Sequence, residues 1–315
     1  MQKKILVTGA FGLVGTDLVL SLQQKHGEDN VLAIGRTKAN SSFIGISEVA
    51  DVRDSQRMDE LIVKYHISEV YHLAGLLSAG GEKNPDLAWD INLNGLKVIL
   101  DLAVKHKLKV FWPSSIAAFG PTTPKEQTPQ HTILEPSTIY GATKVAGELL
   151  CQYYNIKYGL DVRSLRYPGL IAYKAEPGDG TTEYAVSIFY NALRNEPFEC
   201  FLKENSILPM MYMDDAIRGT LALMEVNSEK LSVRTSYNFA AISFSPKEIF
   251  EEIKKHVPTF GISYKPDQRQ KTADSWPRSI DDSSARQDWG WQHQYTLPKM
   301  VEEMLKQLKV KLNNV

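Results

Sequence analysis

In the segment STIYGATKVAGELL, Tyr140 and Lys144 stand four positions apart, so on a helix the phenol and the ammonium share one face. Tyrosine is a poor base at neutral pH because its pKa is about 10. A neighbouring cation stabilises the phenolate and lowers that value, which lets the pair take a proton from an alcohol. The pattern alone is weak, because Tyr and Lys at this spacing also decorate exposed helix faces. Its weight comes from its surroundings: FWPSSIAAFG ends one apolar run with Ser114 and Ser115, and LRYPGLI ends the next. Strand ends on one edge of a parallel sheet converge, so a serine hydroxyl there can reach the same reacting oxygen.

A second chemistry-bearing stretch lies near the start. TGAFGLVG supplies Gly9, Gly12 and Gly15 between an apolar run and a helical pattern, with Leu13, Leu18, Leu20 and Leu22 roughly on one face. Glycine lets the backbone turn sharply and approach a pyrophosphate, which then sits on the positive end of the helix. The structural alternative is a tight packing turn. About 20 residues beyond the last glycine, a carboxylate normally takes the ribose hydroxyls of NAD, whereas an arginine accommodates the 2′-phosphate of NADP. Here the chain reads Gly35 and Arg36. With no acid to repel a phosphate, local electrostatics point toward NADP or a relaxed preference; alternatively Arg36 is a solvated surface residue. Asp51 is a candidate adenine contact from the third strand, although Asp in a strand-end turn is equally often structural.

These residues need a scaffold, and the chain supplies its rhythm. Apolar runs at 3–9, 30–35, 68–75, 108–115 and 160–169 are separated, after the first turn, by stretches long enough for crossover helices. This predicts an α/β fold, a Rossmann-type doubly wound parallel sheet, with a smaller C-terminal α/β substrate lobe. The expected division is 1–170 for the dinucleotide-binding domain and 171–315 for the lobe, with some elements returning to the first domain. Thirty-six basic residues against thirty-seven acidic give no global field to draw nucleic acid or an anionic membrane. A small-molecule partner is expected. Cys151 and Cys200 have no metal or redox spacing, the histidines are scattered, and MMYM (210–213) reads as core packing, so no metal is expected. The opening MQKKILVTGA lacks a long apolar stretch, which reads as a cytoplasmic protein.

The glycine triplet, the strand-end serine and Tyr-x-x-x-Lys together resemble the extended short-chain dehydrogenase/reductase family, the epimerase/dehydratase-like group. Matching SSIAAFG to that family's Ser-to-Tyr/Phe-Gly spacing selects Ser115 over Ser114. Within the family, LLSAGGEKNPDLAWDIN, EPSTIYGATK, GTTEYAV, LPMMYMDDAIR and ADSWPRSIDDSSARQDWGW look like the short-chain L-threonine 3-dehydrogenases, over about residues 3–305. The resemblance implies oxidation of L-threonine at its 3-hydroxyl by NAD, with Tyr140 as base, Ser115 bonding the reacting oxygen and Lys144 orienting the ribose and tuning Tyr140. It places cofactor contacts at Gly9, Phe11, Gly12, Leu13, Val14, Gly15, Gly35, Arg36, Asp51, Val52, Leu73, Ala74, Tyr140, Lys144, Tyr167 and Pro168. Substrate contacts fall at Ser78, Ser115, Tyr140, Gly180, Thr181, Thr182 and Trp276.

Plainer readings stand beside these: Trp276 as a core aromatic, Thr181 and Thr182 as helix caps, and Arg166 and Arg278, which could also bind an acid, as partners of nearby carboxylates. Two departures from the family pattern stand out: Gly35-Arg36 in place of the acid, and PGDG, with Asp179, in place of an unbroken glycine run. The resemblance also implies a homodimer built from the helices around 86–106 and 140–158. A sugar-nucleotide epimerase or dehydratase on the same scaffold, and a catalytically silent dinucleotide sensor, are the alternative functions.

Overall fold

A computed structural model describes residues 3–313; the outermost positions of the two expected domain ranges, 1–2 and 314–315, lie outside the described residues. The strands in chain order are β1 (Ile5–Thr8), β2 (Val31–Gly35), β3 (Ile46–Val49), β4 (Glu69–His72), β5 (Lys109–Ser115), β6 (Val162–Tyr167), β7 (Gly169–Ile171), β8 (Phe198–Cys200), β9 (Leu208–Tyr212), β10 (Tyr237–Asn238), β11 (Ile242–Phe244) and β12 (Ile262–Tyr264). The main sheet runs β10-β6-β5-β4-β1-β2-β3, and its pairs β1–β2, β2–β3, β1–β4 and β4–β5 are all parallel. The order reverses at β1, with β2 on one side and β4 on the other. That switch point is where an open α/β sheet leaves a crevice for a dinucleotide.

The central strands are short and buried throughout: ILVT, VLAI and EVYH show no exposed position. Such runs need helices on their faces to exclude water. Leu6, Leu32, Ile34, Val70, Val110 and Val162 pack with Met58, Leu61, Leu96, Ile99, Leu100, Cys151 and Tyr154 from the helices Ser55–Lys64, Gly95–His106 and Ile139–Tyr158.

The chain forms two compact units, and their division is interleaved rather than a single cut at 170/171. The first unit comprises the chain through Ala118, then Ser137–Arg166 and Ile217–Tyr237; the second comprises Phe119–Pro136, Tyr167–Ala216 and the chain from Asn238. Hydrogen bonds explain both exchanges. In the first unit, Arg163 donates to the Val226 carbonyl at 2.7 Å, which ties the end of the helix Met213–Glu225 to β6. In the second, Thr128 donates to Ser279 and accepts from Asp281, each at 3.0 Å, so the segment after β5 is held by residues far along the chain. The second unit carries a three-stranded sheet β11-β9-β7 and a parallel pair β12–β8. Met210, Met211 and Met213 are buried there as core.

Candidate active site

The glycine turn follows β1 directly. Gly9 has φ +66°, and a Cβ on it would lie 2.7 Å from the Ala74 nitrogen, so only glycine lets β1 and the chain after β4 meet this closely. A Cβ on Gly15 would lie 2.7 Å from the Ala10 carbonyl carbon. Gly12 caps the helix Leu13–His26 without a side-chain bond, and the first turn holds no acidic residue. The first amides of a helix lack intrahelical partners, so the N–H groups around Leu13 and Val14 present donors and a positive dipole end. This cradle fits a pyrophosphate. Leu73 and Ala74 close its other side, their amides donating to the Thr8 carbonyl and hydroxyl at 3.1 and 3.3 Å.

At the adenosine end, Gly35 terminates β2 and Arg36 beyond it is exposed. Val52 is buried against the position that a Cβ on Gly95 would occupy. Asp51 is engaged by Arg53: its carboxylate accepts from the Arg53 backbone N–H and Nε–H at 2.9 Å and from Nη2 at 2.6 Å. Those bonds hold the Asp51 pKa down to about 2. Arg53 also donates to Asp90 at 2.6 Å.

The catalytic candidates converge in the first unit. Thr138 caps the helix Ile139–Tyr158 by accepting from Gly141 N–H at 3.0 Å, and Glu82 accepts from Ile139 N–H at 2.8 Å. That second bond joins it to the short helix Ser78–Lys83, which Ser78 opens. Burial drives the Tyr140 pKa up to about 12, and the neighbouring Ser115 hydroxyl acts in the opposite direction. Burial also lowers Lys144, to about 8. Its Nζ donates to the Pro113 carbonyl at 2.6 Å and lies 5.3 Å from the Tyr140 ring centroid and 4.6 Å from that of Trp112. Both shifts have burial as their largest cause: a buried pocket favours the neutral form of each group, and at Lys144 the Glu148 charge opposes it only in part.

Two features around this cluster had no motif to announce them. Asn92 sits in a widened turn, where Gly95 N–H bonds Asp90 O, and its amide holds Leu76 N–H at 2.7 Å and Thr143 Oγ1 at 3.1 Å. It thus links the loop after β4 to the helix bearing Lys144. The second is a buried knot: Glu148 accepts from Ser114 Oγ at 2.6 Å and from Arg166 Nε and Nη2 at 2.9 and 2.7 Å. Ser114 and Arg166 are thus both partners of Glu148. An acid one helical turn past Lys144 was the available signal.

Tyr167, Pro168, Gly180, Thr181, Thr182 and Trp276 belong to the second unit. Tyr167 and Pro168 are buried at the end of β6, with the Tyr167 ring 5.9 Å from that of Phe239. The N-cap position of the helix Tyr184–Arg194 is Glu183, whose side chain makes no capping bond, and not Thr181 or Thr182. Thr181 is buried, and Thr182 packs where a Cβ on Gly169 would stand. Asp179 is exposed, and its charge adds to the burial that raises the Glu183 pKa. Trp276 lines a cavity of about 520 Å³ with Lys125, Lys203, Tyr264 and Arg278, the last paired with Glu126. Among the described residues no helix is long and apolar enough to cross a membrane.

Residues 5–240 match the model of the NAD dependent epimerase/dehydratase family. Bovine mitochondrial L-threonine 3-dehydrogenase is 46% identical over 96% of this chain and 82% of its own length. The holo structure of the L-threonine dehydrogenase from Cupriavidus necator superposes with a TM-score of 0.95 at 50% identity, covering 97% of this chain and 99% of that one. A monomeric L-threonine 3-dehydrogenase from a metagenome, in its apo form, gives 0.94 at 49% identity over 98% and 99% of the two chains. The chain is thus an NAD-dependent oxidoreductase acting on a CH–OH group, and it belongs to the NAD dependent epimerase/dehydratase family.

Proposed function

We propose that this protein is an L-threonine 3-dehydrogenase that oxidises the 3-hydroxyl of L-threonine to give L-2-amino-3-oxobutanoate, with Tyr140 removing the hydroxyl proton. The observation that carries this reading is the Ser115–Tyr140–Lys144 cluster beside the glycine cradle, in a chain similar over nearly its whole length to proteins of that name. NAD, when bound, would accept the hydrogen on the substrate carbon together with its two electrons. Gly9, Gly12 and Gly15 hold its pyrophosphate and Lys144 its ribose. Ser115 bonds the substrate oxygen, and the Tyr140 hydroxyl oxygen receives the proton. For that, Tyr140 must ionise well below its value of about 12, and a cationic Lys144 supplies the stabilisation. Ser78, Gly180, Thr181, Thr182 and Trp276 are assigned to the substrate on their motifs. The protein works in the cytoplasm as a homodimer through the helices around 86–106 and 140–158.

The test is reduced-cofactor formation by the purified protein with L-threonine, L-allo-threonine, L-serine and UDP-glucose in parallel. L-Threonine should be the preferred substrate, and Tyr140→Phe should lower turnover by about 10²–10⁴-fold while NADH still binds. An active Phe variant removes Tyr140 from the role of base. Silence with every amino acid and turnover of UDP-glucose replaces the reading with an epimerase.

A further inference from the structure

We propose that the adenosine end of the cofactor site accepts a 2′-phosphate, so that the protein uses NADP as well as NAD, with Phe11 and Arg36 setting that tolerance. The inference rests on the dinucleotide site alone and not on the identity of the substrate.

NAD selectivity in this fold comes from a carboxylate at the end of the second strand, which bonds the ribose hydroxyls and repels a phosphate. At position 35 such a side chain would have to displace Phe11. A Cβ added to Gly35 would lie 2.6 Å from Cδ2 and 2.9 Å from Cε2 of Phe11, inside any real carbon contact. The Phe11 ring is braced by Phe43, edge-to-face at a centroid distance of 5.3 Å and an angle of 83°. Glycine at 35 and phenylalanine at 11 are therefore a matched pair: the ring fills the volume that an acidic side chain would need.

The neighbouring acids are already engaged. Asp51 takes three N–H bonds from Arg53, and Arg53 reaches on to Asp90. Glu48 accepts from Arg57, Lys64 and Tyr65 at 2.9, 2.7 and 2.7 Å. Between Gly35 and Glu48 the chain reads GRTKANSSFIGIS, with two cations and no acid. Arg36 and Lys38 are both exposed, and the Arg36 charge reaches Asp51, where it helps hold that carboxyl ionised. A 2′-phosphate entering beside Gly35 would meet a guanidinium able to fork onto two of its oxygens, with Asp51 and Asp90 both bonded to Arg53 and Glu48 bonded to Arg57 and Lys64.

Binding of small ligands tests this without any substrate. By calorimetry, adenosine 2′,5′-bisphosphate should bind the wild-type protein at least as tightly as AMP, and the Kd for NADPH should fall within about tenfold of that for NADH. Arg36→Ala should lower the NADPH-to-NADH affinity ratio by at least about tenfold. The double change Phe11→Ala/Gly35→Asp makes room for an acid and adds it, and should weaken adenosine 2′,5′-bisphosphate by more than about tenfold relative to AMP. NADPH binding more than about a hundredfold weaker than NADH in the wild type would overturn the proposal, as would an affinity ratio indifferent to Arg36→Ala. Failure of NADH and AMP to bind at all would sink it together with the dinucleotide site, whereas failure to oxidise L-threonine would leave it standing.

Discussion

At the scale of single residues, the site is held by charges placed out of water. Glu148 and Arg166 have side chains only 1% and 3% exposed, so each would be costly to bury without the other. They join the helix of Tyr140 and Lys144 to the ends of β5 and β6, and the Glu148 charge favours the cationic form of Lys144. Removing one partner leaves a buried ion uncompensated, at about 3–5 kcal/mol, whereas replacing both with apolar groups of similar volume is often near neutral. Glu148→Met and Arg166→Met should each lower the unfolding free energy by roughly that amount, and the double variant should regain most of it. Additive losses in denaturant titrations would show that the two side chains stabilise the fold separately. Activity should not return with stability in the double variant, because Lys144 loses the charge that helps it stay protonated.

At the scale of elements, the position of Tyr140 and Lys144 depends on how closely their helix, Ile139–Tyr158, lies on β5. Gly147 is the point of closest approach: a Cβ there would lie 2.6 Å from Cζ2 of Trp112, a ring only 2% exposed, and 3.2 Å from Leu96. Alanine would gain about 1 kcal/mol in helix propensity but would force the helix or the ring to move, which costs about 1–3 kcal/mol. Gly147→Ala should therefore lower both the melting temperature and turnover, since Lys144 packs its ammonium over that same indole. A more stable, fully active variant would show that the contact has slack. Most of this layer was legible in sequence: five apolar runs became β1, β2, β4, β5 and β6, because strands buried on both faces write themselves as continuous apolar stretches. β3 wrote no such run and was placed only through Asp51 beyond its end, since ISEV is a sheet-edge strand with alternate residues exposed. The glycine triplet and Tyr-Lys pair were legible because their spacing is local. Asn92, Phe11 against Gly35, and Glu148 with Arg166 act through contacts between distant segments, and no periodicity records those. For the same reason the return of Ile217–Tyr237 to the first unit was foreseen only in kind.

At the scale of the whole molecule, the question is what covers the far side of the helix Ile139–Tyr158. Its inner face buries Thr143, Lys144, Gly147, Cys151 and Tyr154. Its outer face presents Leu149, Tyr153 and Ile156, 57%, 50% and 75% exposed, at positions that fall on one stripe, with Tyr158 beside them at 50%. Scattered apolar residues on a surface need no explanation, but a contiguous stripe of this kind marks a contact. In the proposed homodimer the two copies of this helix meet about a two-fold axis, so each stripe meets itself and every substitution acts twice. Ile156→Glu places two carboxylates against an apolar surface and should convert a dimer into a monomer by light scattering, with the melting temperature losing its dependence on protein concentration. Because Tyr140 and Lys144 ride on the same helix, the monomeric variant should also lose activity in proportion to how far the helix loosens. A wild-type protein that is monomeric at tens of micromolar, as its metagenomic relative is named, would mean that the stripe tolerates water and that the helix is fixed from its inner face alone.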